Sequence, residues 1–179
     1  MFEPFSAADM RKIRDHVAHI RKLYDWPGQL YHDHNESSGH KFNRWSYHNA
    51  PLIMSLHHRP QFIRMASRIF EEQLKPSYSF VSMYGPDGVC PTHVDREVCS
   101  ATIDLMVDTD AKEKPWPLNI YMGETDSFME ITLRPGQAVA YAGHTQRHNR
   151  DPMNKASDAT FANLVFFHFV HVAHKGPLD

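Results

Sequence analysis

The sequence predicts an α+β fold in which helices back an antiparallel β-sandwich or β-barrel. Two stretches before residue 76 carry apolar residues at helical spacing. The segments after Tyr78 are instead short and rich in β-branched and aromatic residues. Turn sequences such as Gly85-Pro86-Asp87-Gly88 separate these later segments. Helices followed by a run of strands are typical of this fold class.

Each of the two predicted helices has one apolar face. The first is expected to begin after Ser6, a suitable N-cap residue, and to end before Trp26-Pro27-Gly28. Its apolar stripe repeats at steps of three and four and consists of Met10, Ile13, Val17, Ile20, Leu23 and Tyr24. The second is expected to begin at Pro60 and to end at Pro76. Its stripe consists of Phe62, Met65, Ala66, Ile69, Phe70 and Leu74.

Six later segments are predicted to be strands, and one long connection precedes them. The predicted strands are residues 79–84, 100–107, 118–121, 128–133, 138–141 and 162–172. The polar, aromatic connection at residues 31–49 is expected to be a functional loop or an irregular strand pair. Within it, Arg44, Trp45 and His48 form a candidate lid or substrate wall. The alternative is ordinary packing by Trp45 and Tyr47.

The amino-acid composition limits the classes of protein to which this chain can belong. The length of 179 residues suits a single domain, and 41% hydrophobic with 22% charged residues is typical of a soluble globular chain. The 21 acidic and 19 basic residues nearly cancel, so neither nucleic acid nor a membrane surface is an expected partner. No apolar stretch reaches membrane-spanning length, and the first residues lack a signal-peptide pattern. Two cysteines are too few for a disulfide framework, which favours a cytoplasmic location.

Histidine is the unusual component, with 14 copies. Six of them form two loose groups that we interpret as surface or loop residues: His32, His34, His40, His48, His57 and His58. A more informative pair of residues is His93 and Asp95. In extended chain, residues two apart point to the same face, so both side chains can reach one cation. A third ligand from a distant strand would complete the two-histidine, one-carboxylate triad of iron(II) oxygenases.

The H-x-D pattern alone is a weak signal, because a loop pair that caps backbone groups has the same spacing. A second feature strengthens it. Arg134-Pro135-Gly136 predicts a tight turn that leads into an apolar strand, and a short loop then reaches His148, 55 residues after His93. His144 is a rival for the third ligand.

Residues 78–170 resemble the double-stranded β-helix (jelly-roll) core of the iron(II)/2-oxoglutarate-dependent dioxygenases, nearest the prolyl 4-hydroxylase-like branch. In that family a tyrosine and a glycine-rich turn precede H-x-D, as Tyr84 and the turn at 85–88 do here. A strand beginning with glycine, here Gly136-Gln137-Ala138-Val139, leads to the distal histidine. Pro152 follows His148 by four residues, and an apolar strand at 163–169 closes the pattern.

The resemblance implies the following expectations. One domain spans 1–179, with helical support at 1–76 and the β-helix core at 77–172. His93, Asp95 and His148 bind Fe(II), with His148 favoured over His144 because only His148 has the proline at the family's offset. 2-Oxoglutarate is the co-substrate, and ascorbate helps turnover in vitro. Family halogenases replace the carboxylate ligand with a small residue, so Asp95 favours hydroxylation of an unactivated C–H in a small molecule, amino acid or short peptide.

One feature departs from the family pattern. Many members bind the far carboxylate of 2-oxoglutarate with Arg or Lys roughly nine to eleven residues after the distal histidine, since a buried carboxylate needs a charge-assisted partner. Those positions here are Ser157, Asp158 and Ala159. We expect Arg150 to replace that anchor, since it follows His148 by two residues and would point inward on a strand. The alternative for Arg150 is a surface salt bridge with Asp151.

Further candidates and alternative functions remain. Lys155 and Arg96 follow Arg150 as candidate anchors, and Tyr84 is expected either to add a hydroxyl hydrogen bond or to be a core aromatic. Cys90 and His93 lack the second ligand pair that structural zinc requires, and Cys99 is expected to be a buried small hydrophobe. The alternative functions are a cupin-like metal enzyme that does not use 2-oxoglutarate and a non-catalytic binding module on the same fold.

Overall fold

The computed structural model describes residues 1–23 and 42–178. Within these ranges there are four α-helices: α1 (Ala7–Leu23), α2 (Pro51–His57), α3 (Pro60–Phe70) and α4 (Met153–Ala156). There are also nine strands: β1 (Arg44–His48), β2 (Leu74–Tyr84), β3 (Cys90–His93), β4 (Ala101–Thr109), β5 (Leu118–Tyr121), β6 (Phe128–Ile131), β7 (Ala138–Tyr141), β8 (His148–Arg150) and β9 (Ala162–His171).

The strands form two antiparallel sheets that pack face to face. The larger sheet has the order β1-β2-β9-β4-β7, and the smaller has the order β3-β8-β5-β6. Inward-facing apolar residues join them in one cluster, with Tyr84, Met106 and Leu164 from the larger sheet and Leu118 and Ile120 from the smaller. The prediction of helices combined with an antiparallel sandwich is therefore confirmed. Because β3 and β8 are neighbours, residues far apart in sequence meet at one end of the smaller sheet.

Helices α1 to α3 contact the other face of the larger sheet. A second apolar cluster joins helical residues such as Ile13, Ile53 and Phe62 to sheet residues such as Ile103 and Phe167. The predicted cap of α1 is confirmed, since the backbone N–H of Asp9 donates to Ser6 Oγ at 3.1 Å. No helix in the described ranges is long and apolar enough to cross a membrane.

The boundary between helices and strands differs from the prediction. Helix α3 ends at Phe70, and Glu71 adopts a left-handed conformation with φ of 56°. Leu74 was predicted to lie on the second helix and Pro76 to close it, but both lie in β2, so a boundary at residue 76 falls inside a strand. The register of β2 against β9 shifts between Pro76 and Ser79. Proline has no N–H to donate to a neighbouring strand, so such an irregularity is where a sheet accommodates it.

The 31–49 connection is described only from residue 42 onwards, and the predicted end of the first helix, just before Trp26, also lies outside the described residues. Its described part contains β1, which pairs with β2. Trp45 is buried in the helix-side cluster and stacks on Tyr47 at 5.7 Å, as the packing alternative expects. Arg44 instead lines the cavity described below, as the substrate-wall alternative expects. Helix α2 was not predicted.

His57 was expected at the surface but is fully buried. It lies at the end of α2 with its ring edge-on to Phe169 (4.7 Å) and Phe167 (5.4 Å). Neither ring nitrogen has a hydrogen-bond partner among the residues that the structure describes. Burial lowers the pKa of His57 to about 3. The aromatic α3 and β9 side chains thus surround an uncharged imidazole.

This histidine makes the fold acid-sensitive. The pKa of His57 is about 3 when folded and near 6.5 when unfolded, so between these values the unfolded chain binds the extra proton. Stability is therefore complete above pH 6.5 and is lost as pH falls towards 3, by up to about 5 kcal/mol from this group. Denaturant unfolding measured from pH 6.5 towards 3 should show that the free energy of unfolding falls less steeply with pH in His57→Leu than in the parent. His144→Leu, a change at an exposed histidine that does not contribute to this pKa shift, should leave the pH dependence unaltered. Equal pH dependence in all three proteins would contradict the role given to His57.

Candidate metal centre

Three candidate ligands converge where β3 and β8 meet. His93 ends β3 and is the register partner of His148, which begins β8. The chain then leaves β3, and the backbone N–H of Asp95 donates to the carbonyl of Gly143 at 2.8 Å. Asp95 Oδ1 lies 3.3 Å from His93 Nε2 and 3.6 Å from His148 Nε2. The three ligand atoms all lie within 4.8 Å of one another, which is close enough to hold one metal ion.

Both histidine rings are oriented by backbone carbonyls. His93 Nδ1 lies 2.8 Å from the carbonyl oxygen of Pro91, and His148 Nδ1 lies 2.9 Å from that of Gln146. Because a carbonyl only accepts, each ring donates its Nδ1–H. In the neutral imidazole the Nε2 lone pair is then free to face Asp95. Metal-binding histidines are fixed in this way, so the donor set fits a divalent transition metal.

The electrostatics of the three groups are coupled. The hydrogen bond to Asp95 raises the pKa of His93 to about 10, and Cys90 adds to the rise. Burial would raise the pKa of Asp95, but His93 and His148 outweigh it and hold that pKa below its usual value. Burial lowers the pKa of His148. A cation at this position therefore competes with a single proton shared by His93 and Asp95.

The other oxygen of Asp95 is held from the larger sheet. Thr102 Oγ1 on β4 donates to Asp95 Oδ2 at 3.3 Å. Gly143 packs against the same carboxylate, and a Cβ at that position would overlap Asp95 Oδ2 and lie 2.7 Å from Thr102 Oγ1. The glycine is therefore required by close approach to the carboxylate.

Gly143→Ala is expected to displace the Asp95 carboxylate and to weaken divalent-metal binding by about 10- to 100-fold, the range seen when groups that orient a ligand are altered. Titration with Fe(II) or Ni(II) measures this. Gly176→Ala is the matched control, because its added Cβ meets only the ring of the partly exposed His174. Unaltered metal affinity in a folded Gly143→Ala protein would contradict the role given to this contact.

A partly open cavity lies beside the three ligands. Its other lining residues come from both sheets: Arg44, Phe80, Tyr84, Cys90, Leu118, Tyr141, Arg150, Phe166 and His168. Polar groups and aromatic rings therefore share one space between the sheets, a common arrangement in small-molecule sites.

Arg150 lies inside the sandwich, as an inward position on a strand requires. Its side chain is buried and donates to Asp104 Oδ2 at 2.7 Å and to the carbonyl of Trp116 at 2.9 Å. A surface salt bridge between Arg150 and Asp151 is therefore wrong. Asp151 lies at the surface and accepts hydrogen bonds from Asn119 and Asn149.

Tyr84 is both a core aromatic and a cavity residue. Its ring meets Trp116 edge-on at 4.8 Å, and its hydroxyl lies 3.5 Å from Arg44 Nη1. Burial raises the pKa of Tyr84 to about 12, so the hydroxyl stays protonated and can donate. The core-aromatic alternative is therefore observed, and the hydroxyl bond to 2-oxoglutarate stays a prediction.

The remaining candidates lie outside the ligand set. His144 and Lys155 are exposed, and Arg96 lies over the ring of Tyr78 at 5.0 Å. Cys99 is buried, as expected, and contacts the Tyr78 hydroxyl at 3.1 Å. Burial raises the pKa of Cys99 to about 11, so the thiol stays protonated at neutral pH.

Sequence reasoning did not identify Thr102, Asp104, Gly143 or His168. Thr102 and Asp104 interrupt an otherwise apolar β4 at positions two apart, so both point into the sandwich. That interruption was a signal that the sequence contained. The contact of Thr102 with His168 depends on β4 lying beside β9, and that of Asp104 with Arg150 depends on β4 facing β8 across the sandwich. No local pattern encodes either arrangement.

Comparisons with known proteins identify the fold. No family model matches the sequence, and no curated protein matches it. Solved structures do match. HygX from Streptomyces hygroscopicus, with nickel, 2-oxoglutarate and hygromycin B bound, shares 8% identity at a TM-score of 0.69, covering 98% of this chain and 83% of that one. An oxidoreductase of the 2OG-Fe(II) oxygenase family from Burkholderia pseudomallei shares 11% identity at a TM-score of 0.69. The match covers 97% of this chain and 82% of that one.

A third similar structure is that of an epimerase. The non-haem α-ketoglutarate-dependent epimerase SnoN from nogalamycin biosynthesis shares 9% identity at a TM-score of 0.62, covering 93% of this chain and 76% of that one. At such low identities the likeness establishes the fold alone. The chain therefore has the fold of 2-oxoglutarate-dependent iron oxygenases, and it brings a His-Asp-His set together inside that fold.

Proposed function

We propose that this protein is a non-haem iron(II)- and 2-oxoglutarate-dependent oxygenase with a double-stranded β-helix core. The observation that carries the proposal is the convergence of His93, Asp95 and His148, with both Nε2 atoms turned to one carboxylate oxygen. Iron bound there, with 2-oxoglutarate, would supply the oxidising chemistry. The protein's own residues orient the ligands, hold Asp95 through Thr102 and enclose the substrate between the sheets.

The far carboxylate of 2-oxoglutarate is assigned to the inner end of the cavity. Arg150 and Tyr84 are its proposed partners, since both line the cavity and the Tyr84 hydroxyl remains a donor. Asp104 and the carbonyl of Trp116 already accept hydrogen bonds from Arg150, so 2-oxoglutarate would bind to the remaining N–H groups of the guanidinium. Arg44 lies beside Tyr84 and adds a second guanidinium, so we include it as a partner. Together these donors replace the arginine or lysine that the family places later in the chain.

We also propose a class of substrate and a type of reaction. The resemblance to prolyl 4-hydroxylase-like members and the presence of Asp95 favour hydroxylation of a C–H bond. HygX is described with hygromycin B bound, and SnoN as an epimerase, so the fold serves small-molecule substrates and more than one oxidative outcome. The cavity lies between the two sheets and is lined by both, which favours a small molecule over a long peptide.

The test is incubation with iron(II), ascorbate and 2-oxoglutarate. Succinate should form, at least slowly by uncoupled turnover. With iron present, 2-oxoglutarate at a hundredfold its Kd should raise Tm by about 5 to 10 °C, the shift expected for a ligand that binds only the folded state. Absence of succinate together with an unaltered Tm would reject the proposal and favour a cupin-like enzyme or a binding module.

The anchor assignment has its own test. Arg44→Met, and Arg150→Met made together with Asp104→Leu so that no unpaired charge is buried, should each weaken 2-oxoglutarate binding about 10- to 100-fold, the loss expected for a charge-assisted hydrogen bond. Iron affinity should stay within a few-fold. Lys155→Met, at an exposed position on α4, is the control. A variant that binds 2-oxoglutarate as tightly as the parent removes that arginine from the site.

A further inference from the structure

His168 is a buried polar residue on the cavity wall that the ligand triad does not use. It lies on β9 at 2% exposure, and its register partner on β4 is Thr102. His168 Nδ1 is 3.0 Å from Thr102 Oγ1, which in turn is 3.3 Å from Asp95 Oδ2. The imidazole is thus joined to the candidate metal ligand through one hydroxyl.

The chemistry of the partners fixes the direction of these hydrogen bonds. A carboxylate accepts only, so Thr102 donates its single proton to Asp95 and accepts from His168 Nδ1–H. The carbonyl of Cys99, also 3.3 Å from Thr102 Oγ1, likewise only accepts. In either case the neutral imidazole keeps an unprotonated Nε2. Across the described residues, that buried nitrogen has no hydrogen-bond partner.

We propose that His168 Nε2 accepts a hydrogen bond from an O–H or N–H group of the primary substrate and positions that substrate beside the metal. A buried acceptor without a partner is unfavourable, so a ligand that supplies a donor gains free energy there. 2-Oxoglutarate is a dianion without a donor group, so it does not satisfy this nitrogen. The donor that binds to His168 Nε2 must therefore come from the primary substrate.

The neighbouring rings define the shape of that substrate. Phe80 and Phe166 are half-buried, line the cavity and stack on each other at 4.7 Å with an interplanar angle of 17°. The ring of Phe166 is within 7° of parallel to that of His168. An apolar wall therefore lies next to one acceptor. This combination fits a six-membered ring, aromatic or saturated, that carries a hydroxyl or amine at its edge.

This inference deepens the proposed function and rests on it for the role of the cavity. Its test is binding of small probes, so it does not require turnover. Phenol and cyclohexanol are compared with anisole and methoxycyclohexane, which keep each ring but lack the donor. The ¹⁵N resonances of His168 are followed by NMR in the metal-free and the zinc-loaded protein, and affinities are measured for the parent and for His168→Phe and His168→Gln.

The expected result is that at least one alcohol binds about fivefold or more tightly than its ether and shifts the Nε2 resonance of His168. His168→Phe should abolish that preference, and His168→Gln, which retains an acceptor, should restore part of it. His144→Phe, at an exposed histidine, is the matched control and should keep the preference. An unmoved Nε2 resonance, with equal binding of both alcohols and their ethers, would overturn the inference. Failure to bind zinc would instead count against the metal site.

Discussion

Asp95→Ala is expected to lower iron(II) affinity by at least about 100-fold, because changes to groups that merely orient a metal ligand already lower affinity 10- to 100-fold. Asp95 Oδ1 is the atom to which both histidine Nε2 atoms turn, so its removal leaves two neutral donors and no negative charge. Succinate formation should fall to the level of the assay blank. Anaerobic iron titration and a coupled succinate assay measure the two effects.

The fold should tolerate this substitution, because the backbone N–H of Asp95 keeps its bond to the Gly143 carbonyl. Asp87→Ala, in the exposed turn before β3, is the matched carboxylate control and should leave iron affinity unaltered. Unchanged iron binding by a folded Asp95→Ala protein would place the metal elsewhere.

Asp104→Ala is expected to destabilise the fold by about 3 to 5 kcal/mol, since it leaves the buried guanidinium of Arg150 without its anion. Both side chains are almost fully buried, and Arg150 Nη2 lies 2.7 Å from Asp104 Oδ2. Burial raises the pKa of Asp104, and Arg150 opposes that rise. For a chain of this length the loss corresponds to a Tm lower by about 6 to 20 °C. Thermal or denaturant unfolding measures it.

Replacing both charged residues together tests the ion pair without leaving a buried charge unpaired. The double variant Asp104→Leu/Arg150→Met should recover most of the stability, since apolar replacement of a buried pair is often neutral or stabilising. It should still fail to bind 2-oxoglutarate tightly if Arg150 is an anchor. Asp126→Asn, which alters the exposed pair with Arg147, is the control and should not shift Tm measurably. A single Asp104→Ala variant as stable as the parent would contradict the structural role given to the ion pair.

The features that sequence predicts well here are those that local spacing encodes. The helical stripe from Met10 to Ile20 becomes the buried face of α1, and the turn at 134–136 leads into β7 as expected. His93 and Asp95 are two residues apart, so their convergence follows from extended backbone geometry. His148 required the family's proline offset, because nothing in its own neighbourhood distinguishes it from His144.

Other features depend on contacts between distant strands. Pro76 looks like a helix terminator in sequence, but pairing of β2 with β9 draws residues 74–76 into a strand. His57 looks like a loop histidine, yet α2 and the phenylalanines of β9 enclose it. Arg150 could be placed inward from its spacing alone. Its partner Asp104 could not, because β4 and β8 belong to different sheets and meet only across the sandwich.

Iron-dependent binding of 2-oxoglutarate is tested most directly by calorimetric titration under anaerobic conditions. 2-Oxoglutarate is titrated into the metal-free protein and into protein loaded with one equivalent of iron(II). If His93, Asp95 and His148 hold an iron ion on which 2-oxoglutarate binding depends, one equivalent of 2-oxoglutarate should bind to the iron-loaded protein. The metal-free protein and iron-treated Asp95→Ala should bind it at least about 100-fold more weakly. Equal 2-oxoglutarate affinity with and without iron, or no binding in either state, would contradict the account.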